Sequence, residues 1–201
     1  MATPKIPLVL ATTNAGKATE IRAALKGLPF KVMTLAEIGV KAAFPETGKT
    51  FEANARGKSL HYSRKSAFLT LAEDSGLEVE ALGGAPGIRS ARFSSPGATD
   101  SKNNLKLLRL LKGVPAPRRK ARFVCCMVLS LNGRKLKTVR GQVRGRIAAE
   151  PKGDLGFGYD PVFFYRPWGR TFGEISPARK NTVSHRGRAL ARMKAFLAGR
   201  R

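Results

Sequence analysis

Glu73 and Asp74, adjacent acids followed by Ser75 and Gly76, are the residues whose chemistry first asks for an explanation. The chain holds 13 acids against 38 lysines and arginines, yet four of the 13 lie between Glu73 and Glu80. Neighbouring carboxylates raise one another's pKa unless a cation stands beside them. In a chain this basic, lysines could be that cation. A divalent metal is the alternative, and Mg2+ suits it, because that ion takes one or two carboxylates together with water and phosphate oxygens. Glu46, just before Thr47-Gly48-Lys49-Thr50, is a third acid of interest. Near the N-terminus, Thr12-Thr13-Asn14-Ala15-Gly16-Lys17 follows an apolar run and precedes a helical pattern. A strand that turns directly into a helix aims backbone N–H groups and the positive helix end at one spot, and Lys17 adds a point charge there. That is an anion site, though not the lysine-bearing P-loop, since Ala11 and Ala18 occupy positions where that loop needs glycine and Ser or Thr. Farther on, Gly153-Asp154-Leu155-Gly156-Phe157-Gly158-Tyr159-Asp160-Pro161 interleaves glycines with two aromatic rings. The glycines would let Phe157 or Tyr159 lie flat against a planar ligand, while packing in the core is the commoner fate of such rings. Lys180 and the run Ser184-His185-Arg186-Gly187 complete the polar candidates.

These residues need elements to hold them. Residues 6–11 read as a buried strand, and Asn14 is a good cap for a helix with Ile21, Ala24, Leu25 and Leu28 on one face. Residues 30–34 make a short strand, and Thr50 can cap a helix running to about Lys65. Around the paired acids, the apolar runs on either side of Ser75-Gly76 predict strand, sharp turn, strand. Thr99-Asp100 predicts a cap for a helix over residues 101–112, stopped by Gly113 and Pro115. Residues 120–131 give the clearest strand, and Asn132-Gly133 predicts a type I′ hairpin returning along residues 135–147. Val162-Phe163-Phe164 predicts another strand, and Leu190, Met193 and Leu197 share one face of a final helix. Strands and helices alternate throughout, so the fold class is α/β, in one domain over residues 1–201.

Composition limits the function classes. With 201 residues and 42% hydrophobic content the chain is long enough for a well-buried core. No apolar run approaches a membrane span, and residues 6–11 are too short for the core of a signal peptide. Cys125 and Cys126 are adjacent and would point to opposite faces of a strand, which suits neither an ordinary disulfide nor zinc. A reducing, cytoplasmic setting is expected. The net charge of +25 attracts polyanions, but basic residues are spread along the chain, with short clusters at residues 118–120 and at the C-terminal end. That distribution describes a solvated basic surface, with nucleic-acid binding only of the non-specific kind. A dedicated nucleic-acid-binding protein would leave the acids at residues 73–80 unexplained, since they repel phosphate.

Six segments in chain order resemble one family. They are Thr12-x-Asn14-x-x-Lys17, Glu46-Thr47-Gly48, Glu73-Asp74-Ser75-Gly76-Leu77, Gly83-Gly84-Ala85-Pro86-Gly87, Gly156-Phe157-Gly158-Tyr159-Asp160-Pro161 and Ser184-His185-Arg186-Gly187. Together they are similar to the non-canonical purine nucleoside triphosphate pyrophosphatases, also called inosine triphosphate pyrophosphatases. The resemblance implies an elongated mixed β-sheet with flanking helices, in two lobes around a central nucleotide cleft, and a homodimer. It implies Mg2+-dependent cleavage of the α–β phosphate bond of ITP, dITP or XTP to the monophosphate and pyrophosphate, sanitising the nucleotide pool. It places Asp74 as the catalytic carboxylate and metal contact, with Glu46 and Glu73 as the other metal-associated acids. Thr12, Thr13, Asn14, Ala15, Gly16, Lys17 and Ser75 match the triphosphate-contacting positions. Phe157, Gly158, Tyr159, Asp160, Lys180, His185 and Arg186 match those around base and sugar. Two departures stand out: Thr13 sits where many relatives carry glycine, and the charge is higher than the family leads one to expect. A pyrophosphatase of modified pyrimidine triphosphates would share the fold, but the His185-Arg186 pair and the Phe157 loop favour purines.

Overall fold

The computed structural model describes residues 5–40 and 43–199, and these described residues form seven strands and five α-helices. The C-terminal basic residues Arg200 and Arg201 lie outside the described residues. The order is β1 (Ile6–Ala11), α1 (Ala15–Leu25), β2 (Phe30–Thr34), α2 (Phe51–Ser66), β3 (Leu69–Val79) and α3 (Asp100–Leu110). β4 (Lys120–Leu131), β5 (Arg134–Ile147), β6 (Phe163–Tyr165), β7 (Arg170–Thr171), α4 (Pro177–Val183) and α5 (His185–Ala198) follow. The strands form one open sheet in the order β2-β1-β3-β4-β5-β6-β7. β1 runs parallel to both β2 and β3, whereas β5, β6 and β7 are antiparallel, so the sheet is mixed. The expected α/β class with a mixed sheet and flanking helices holds.

Local chemistry accounts for most boundaries. Asn14, Thr50 and Thr99 cap α1, α2 and α3, each accepting a hydrogen bond from the backbone N–H three residues on. Asn132 and Gly133 both take positive φ, +49° and +72°, the geometry that matches a two-residue hairpin turn to the twist of its strands. The expectation of a turn at Ser75-Gly76 fails. β3 is a single strand that passes straight through both residues, lying between β1 and β4 in the sheet. β1 pairs with this strand only as far as Ala72; beyond it the Leu77 amide donates to Ser90 Oγ at 2.9 Å, and the place of β3 beside β4 overrides the turn propensity of Ser-Gly.

The chain divides into two compact units. The first comprises residues 1–74, 125–140 and 189–201. Its core packs Leu8, Leu10, Leu71, Met127 and Leu129 against Ile21 and Leu25 of α1 and Leu190, Met193 and Leu197 of α5, while Val9, Ala11 and Ala72 pack with Tyr62 of α2. The second comprises residues 75–124 and 141–188. Leu77, Val79, Leu107, Leu111, Phe123, Val143, Ile147, Phe163 and Phe172 build its core. Full burial of such side chains stabilises by about 1.5–3 kcal/mol each, which gives the neighbouring polar groups a rigid mount.

Candidate active site

In the first unit the strand–turn–helix that predicted an anion site is present. Asn14 Oδ1 accepts from the Lys17 amide at 2.9 Å, and Thr12 Oγ1 accepts from the Asn14 amide at 3.2 Å, so two side chains wind the turn. Thr13, Asn14 and Ala15 are exposed, while Thr12, Gly16 and Lys17 are half-buried. The first turn of α1 carries no acid to offset its positive end. The Lys17 ammonium lies 2.9 Å from Glu73 Oε1, and Glu73 Oε2 accepts from the Cys125 thiol at 3.2 Å.

Successive residues on a strand point to opposite faces, so Glu73 and Asp74 part company despite being neighbours. Asp74 meets α2. Its Oδ2 accepts from Asn54 Nδ2 at 3.0 Å, and its Oδ1 lies 3.8 Å from Lys58 Nζ. The same ammonium donates to Glu46 Oε1 at 2.6 Å, and Asn54 Oδ1 accepts from the Gly48 amide at 2.8 Å. Asn54 and Lys58, one turn apart on α2, thus tie the Glu46–Gly48 segment to Asp74. Asp74 is only 6% exposed, and burial pushes its carboxyl above the usual aspartate range. Lys58, the Asn54 amide and Lys17 oppose that rise, and the Glu46 charge adds to it. Lysines therefore do stand beside these carboxylates. Of the three acids picked out for metal, the structure brings Glu46 and Asp74 to one ammonium and leaves Glu73 with Lys17. Among the described residues no group of three acid, histidine or cysteine side chains could by itself hold an ion. That donor set still fits a Mg2+ ion completed by water and phosphate oxygens, since such an ion needs only one or two carboxylates.

In the second unit, Arg186 is 2% exposed, and its Nη2 donates to Ser75 Oγ at 3.0 Å. Lys180, also buried, donates to Asp160 Oδ2 at 2.8 Å, and the same oxygen accepts from the Phe157 amide at 3.0 Å. Gly156, at φ +81°, admits this arrangement: a Cβ there would lie 2.1 Å from Asp160 Oδ2. The half-buried ring of Phe157 is faced by Lys180 Nζ at 5.0 Å and the Arg186 guanidinium at 5.4 Å. Both are within the range of cation–π attraction. His185 stacks on Phe123 at 4.7 Å with 12° between planes. Tyr159 takes the commoner fate of an aromatic ring. It packs in the core at 4% exposure with its hydroxyl donating to the Ser90 carbonyl at 2.9 Å, and burial raises its pKa.

Sequence reasoning passed over Lys58 and Asn54, although a signal existed. Phe51, Asn54, Ala55, Lys58, Ser59, Tyr62 and Ser63 fall at the spacing of a buried helix face, and all seven are buried. A face spaced for the core but filled largely with polar groups must meet polar partners.

The fold and these groups define an α/β protein on an open mixed sheet, with paired acid–lysine chemistry at the start of α1 and along α2. The Ham1 family model matches residues 8–196. A dITP/XTP pyrophosphatase of Geobacter sulfurreducens is 46% identical over 190 residues, 94% of this chain and 96% of that protein. One from Bacillus licheniformis is 42% identical over 190 residues, 94% of this chain and 97% of that protein. The solved structure of a HAM1 protein from Coxiella burnetii superposes with a TM-score of 0.88 at 37% identity, over 96% of this chain and 99% of that one. For the Ham1 protein of Staphylococcus aureus the TM-score is 0.87 at 36% identity, over 97% and 100%. The chain belongs to the Ham1 family, and the resemblance drawn from the six segments holds.

Proposed function

We propose that this protein is a Mg2+-dependent nucleoside-triphosphate diphosphatase that hydrolyses dITP, ITP and XTP to the monophosphate and pyrophosphate, removing these nucleotides from the pool. The near-full-length similarity to proteins named dITP/XTP pyrophosphatase carries the reading. The reaction replaces the Pα–O–Pβ linkage: water oxygen bonds to one phosphorus, the bridging oxygen leaves with the other, and the water's protons pass to base and solvent. Glu46 and Asp74, drawn to the one Lys58 ammonium, are the residues to hold the ion, with Glu73 near Lys17 the third acid of the set. When bound, Mg2+ supplies charge neutralisation on the phosphate oxygens.

The chain's own residues do the rest. Thr12 to Lys17 present the positive end of α1 and the Lys17 ammonium to the phosphates, with Ser75 as a further hydroxyl contact. Asp74 orients the attacking water and accepts its proton; a carboxyl pushed upward by burial is a better acceptor than an ordinary one. Phe157 offers its ring to the purine. Lys180, His185 and Arg186 are the polar groups for base and sugar, with Asp160 fixing Lys180 and Gly158 shaping the loop. A guanidinium donor facing a 6-oxo group accepts hypoxanthine or xanthine and meets the donor amino group of adenine unfavourably. Sites built on such bonds discriminate by about 10⁴–10⁵. The expected state is a cytoplasmic homodimer, and no described helix is long and apolar enough to cross a membrane. The test is pyrophosphate release from dITP and XTP with Mg2+ and with excess chelator. Mg2+-dependent release from these two, far above release from dATP, supports the reading; equal turnover of dATP refutes it.

A further inference from the structure

The loop that carries Phe157 is gripped from a side that takes no part in the chemistry above. Asp100 and Asn104 stand one turn apart on α3, a spacing that puts both side chains on one face. Asp100 Oδ2 accepts from the Gly158 amide at 2.6 Å, and Asn104 Nδ2 donates to the Gly158 carbonyl at 3.0 Å. Both peptide units of Gly158 are therefore pinned to the helix, at a residue whose φ is +65°. With Asp160 Oδ2 holding the Phe157 amide, three side chains fix the backbone on which that ring stands. A recess of 330 Å3, lined by Asp100, Asn104, Leu105, Gly156, Phe157 and Gly158 among others, lies alongside. Asn104 is 7% exposed, so its grip is made away from competing water, where a hydrogen bond is stronger.

We propose that Asp100 and Asn104 are positioning residues for base recognition. They hold the Phe157 ring against the Arg186 guanidinium, 5.4 Å away, and through the placement of that donor they set discrimination between purines without touching the substrate. The inference rests on the functional reading above. If the ring is mobile, binding must first order it, and that cost falls on substrate affinity and not on the chemical step.

The experiment uses the full-length enzyme and its variants Asp100→Ala, Asn104→Ala and Asp100→Asn. Asp100→Asn keeps an oxygen to accept from Gly158 while losing the charge, so it separates the grip on Gly158 from any charge effect at the start of α3. KM and kcat are measured for dITP and dATP, and amide hydrogen exchange is followed over residues 155–160 in the enzyme alone. Each alanine variant is expected to raise the KM for dITP by about tenfold, leave kcat within about twofold, and shrink the dITP-over-dATP ratio by about tenfold. Exchange across the loop should quicken in both, and Asp100→Asn should restore all three readouts. An unchanged selectivity ratio, or losses in kcat and KM that Asp100→Asn does not restore, overturns the proposal, as does unchanged loop exchange. A wild-type enzyme inactive on both dITP and XTP would instead sink the functional reading, and this inference with it, before any variant is made.

Discussion

Replacing Lys58 by methionine keeps most of the side-chain stem and removes the ammonium shared by Glu46 and Asp74. Its side chain is 11% exposed against 8% for Asp74 and 30% for Glu46, so neither contact is a surface ion pair. The 2.6 Å contact to Glu46 is a charge-assisted hydrogen bond, worth about 1.5–3 kcal/mol, and the exposure of Glu46 favours the lower end. The 3.8 Å approach to Asp74 is too long for a hydrogen bond and contributes through charge alone. Breaking a buried pair costs about 3–5 kcal/mol, and here water reaches one partner, so a net loss of roughly 2–3 kcal/mol at neutral pH is expected. For a chain of this size that lowers the melting temperature by roughly 4–12 °C. The pH dependence gives the sharper check. Lys58 is the largest influence opposing the upward shift of Asp74, so its loss raises that carboxyl further in the folded state. A carboxyl whose folded pKa exceeds its unfolded value binds protons more tightly when folded. Its ionisation therefore destabilises the fold as pH rises above the unfolded value, and the penalty disappears below it. The deficit of Lys58→Met should accordingly shrink as pH falls from 7.5 toward 4.5, read by thermal melts of both proteins. Equal melting at pH 7.5, or a deficit that widens with acid, would refute the reasoning.

Asp74→Asn should abolish pyrophosphate release yet melt no lower than the wild type at pH 7.5, because burial already opposes the charge it removes; a variant with near-normal turnover would take Asp74 out of the mechanism. Lys17→Ala should lower kcat/KM for dITP by about tenfold to a hundredfold, the worth of a charged hydrogen bond, and steady-state kinetics with unchanged efficiency would mean that Lys17 serves only Glu73. Cys126, its thiol pushed up to about 11 chiefly by burial, and Cys125, fully buried beside Glu73, should both resist a thiol reagent at pH 8 until the protein is unfolded. Rapid labelling of the native protein at either cysteine would contradict that burial.

Legibility in the sequence followed how local the cause was. β4 and the hairpin after it were readable because a run apolar on both faces and Asn132-Gly133 act within a few residues. The caps at Asn14 and Thr50 were readable for the same reason. Ser75-Gly76 misled because its conformation is set by strands far away in sequence, and a turn signal carries no information about neighbours in a sheet. Glu73 and Asp74 were legible as chemistry but not as geometry. Their adjacency suggested shared charge, and the strand sends them to different lysines. Lys58 and Asn54 were hidden in a helix whose polar buried face takes its meaning from Asp74, Glu46 and other partners distant in sequence. Tyr159 and Phe157 looked equivalent in the glycine-rich loop. Only packing separates a ring committed to the core from one left half-buried beside two cations.

Hydrolysis of dITP in water enriched in heavy oxygen, followed by phosphorus NMR, tests cleavage at the α–β bond most directly. Deoxyinosine monophosphate and pyrophosphate should appear in equal amounts when Mg2+ is present, with one heavy oxygen in one of the two products. Release of inorganic phosphate with the diphosphate, or no turnover of dITP at all, would contradict it.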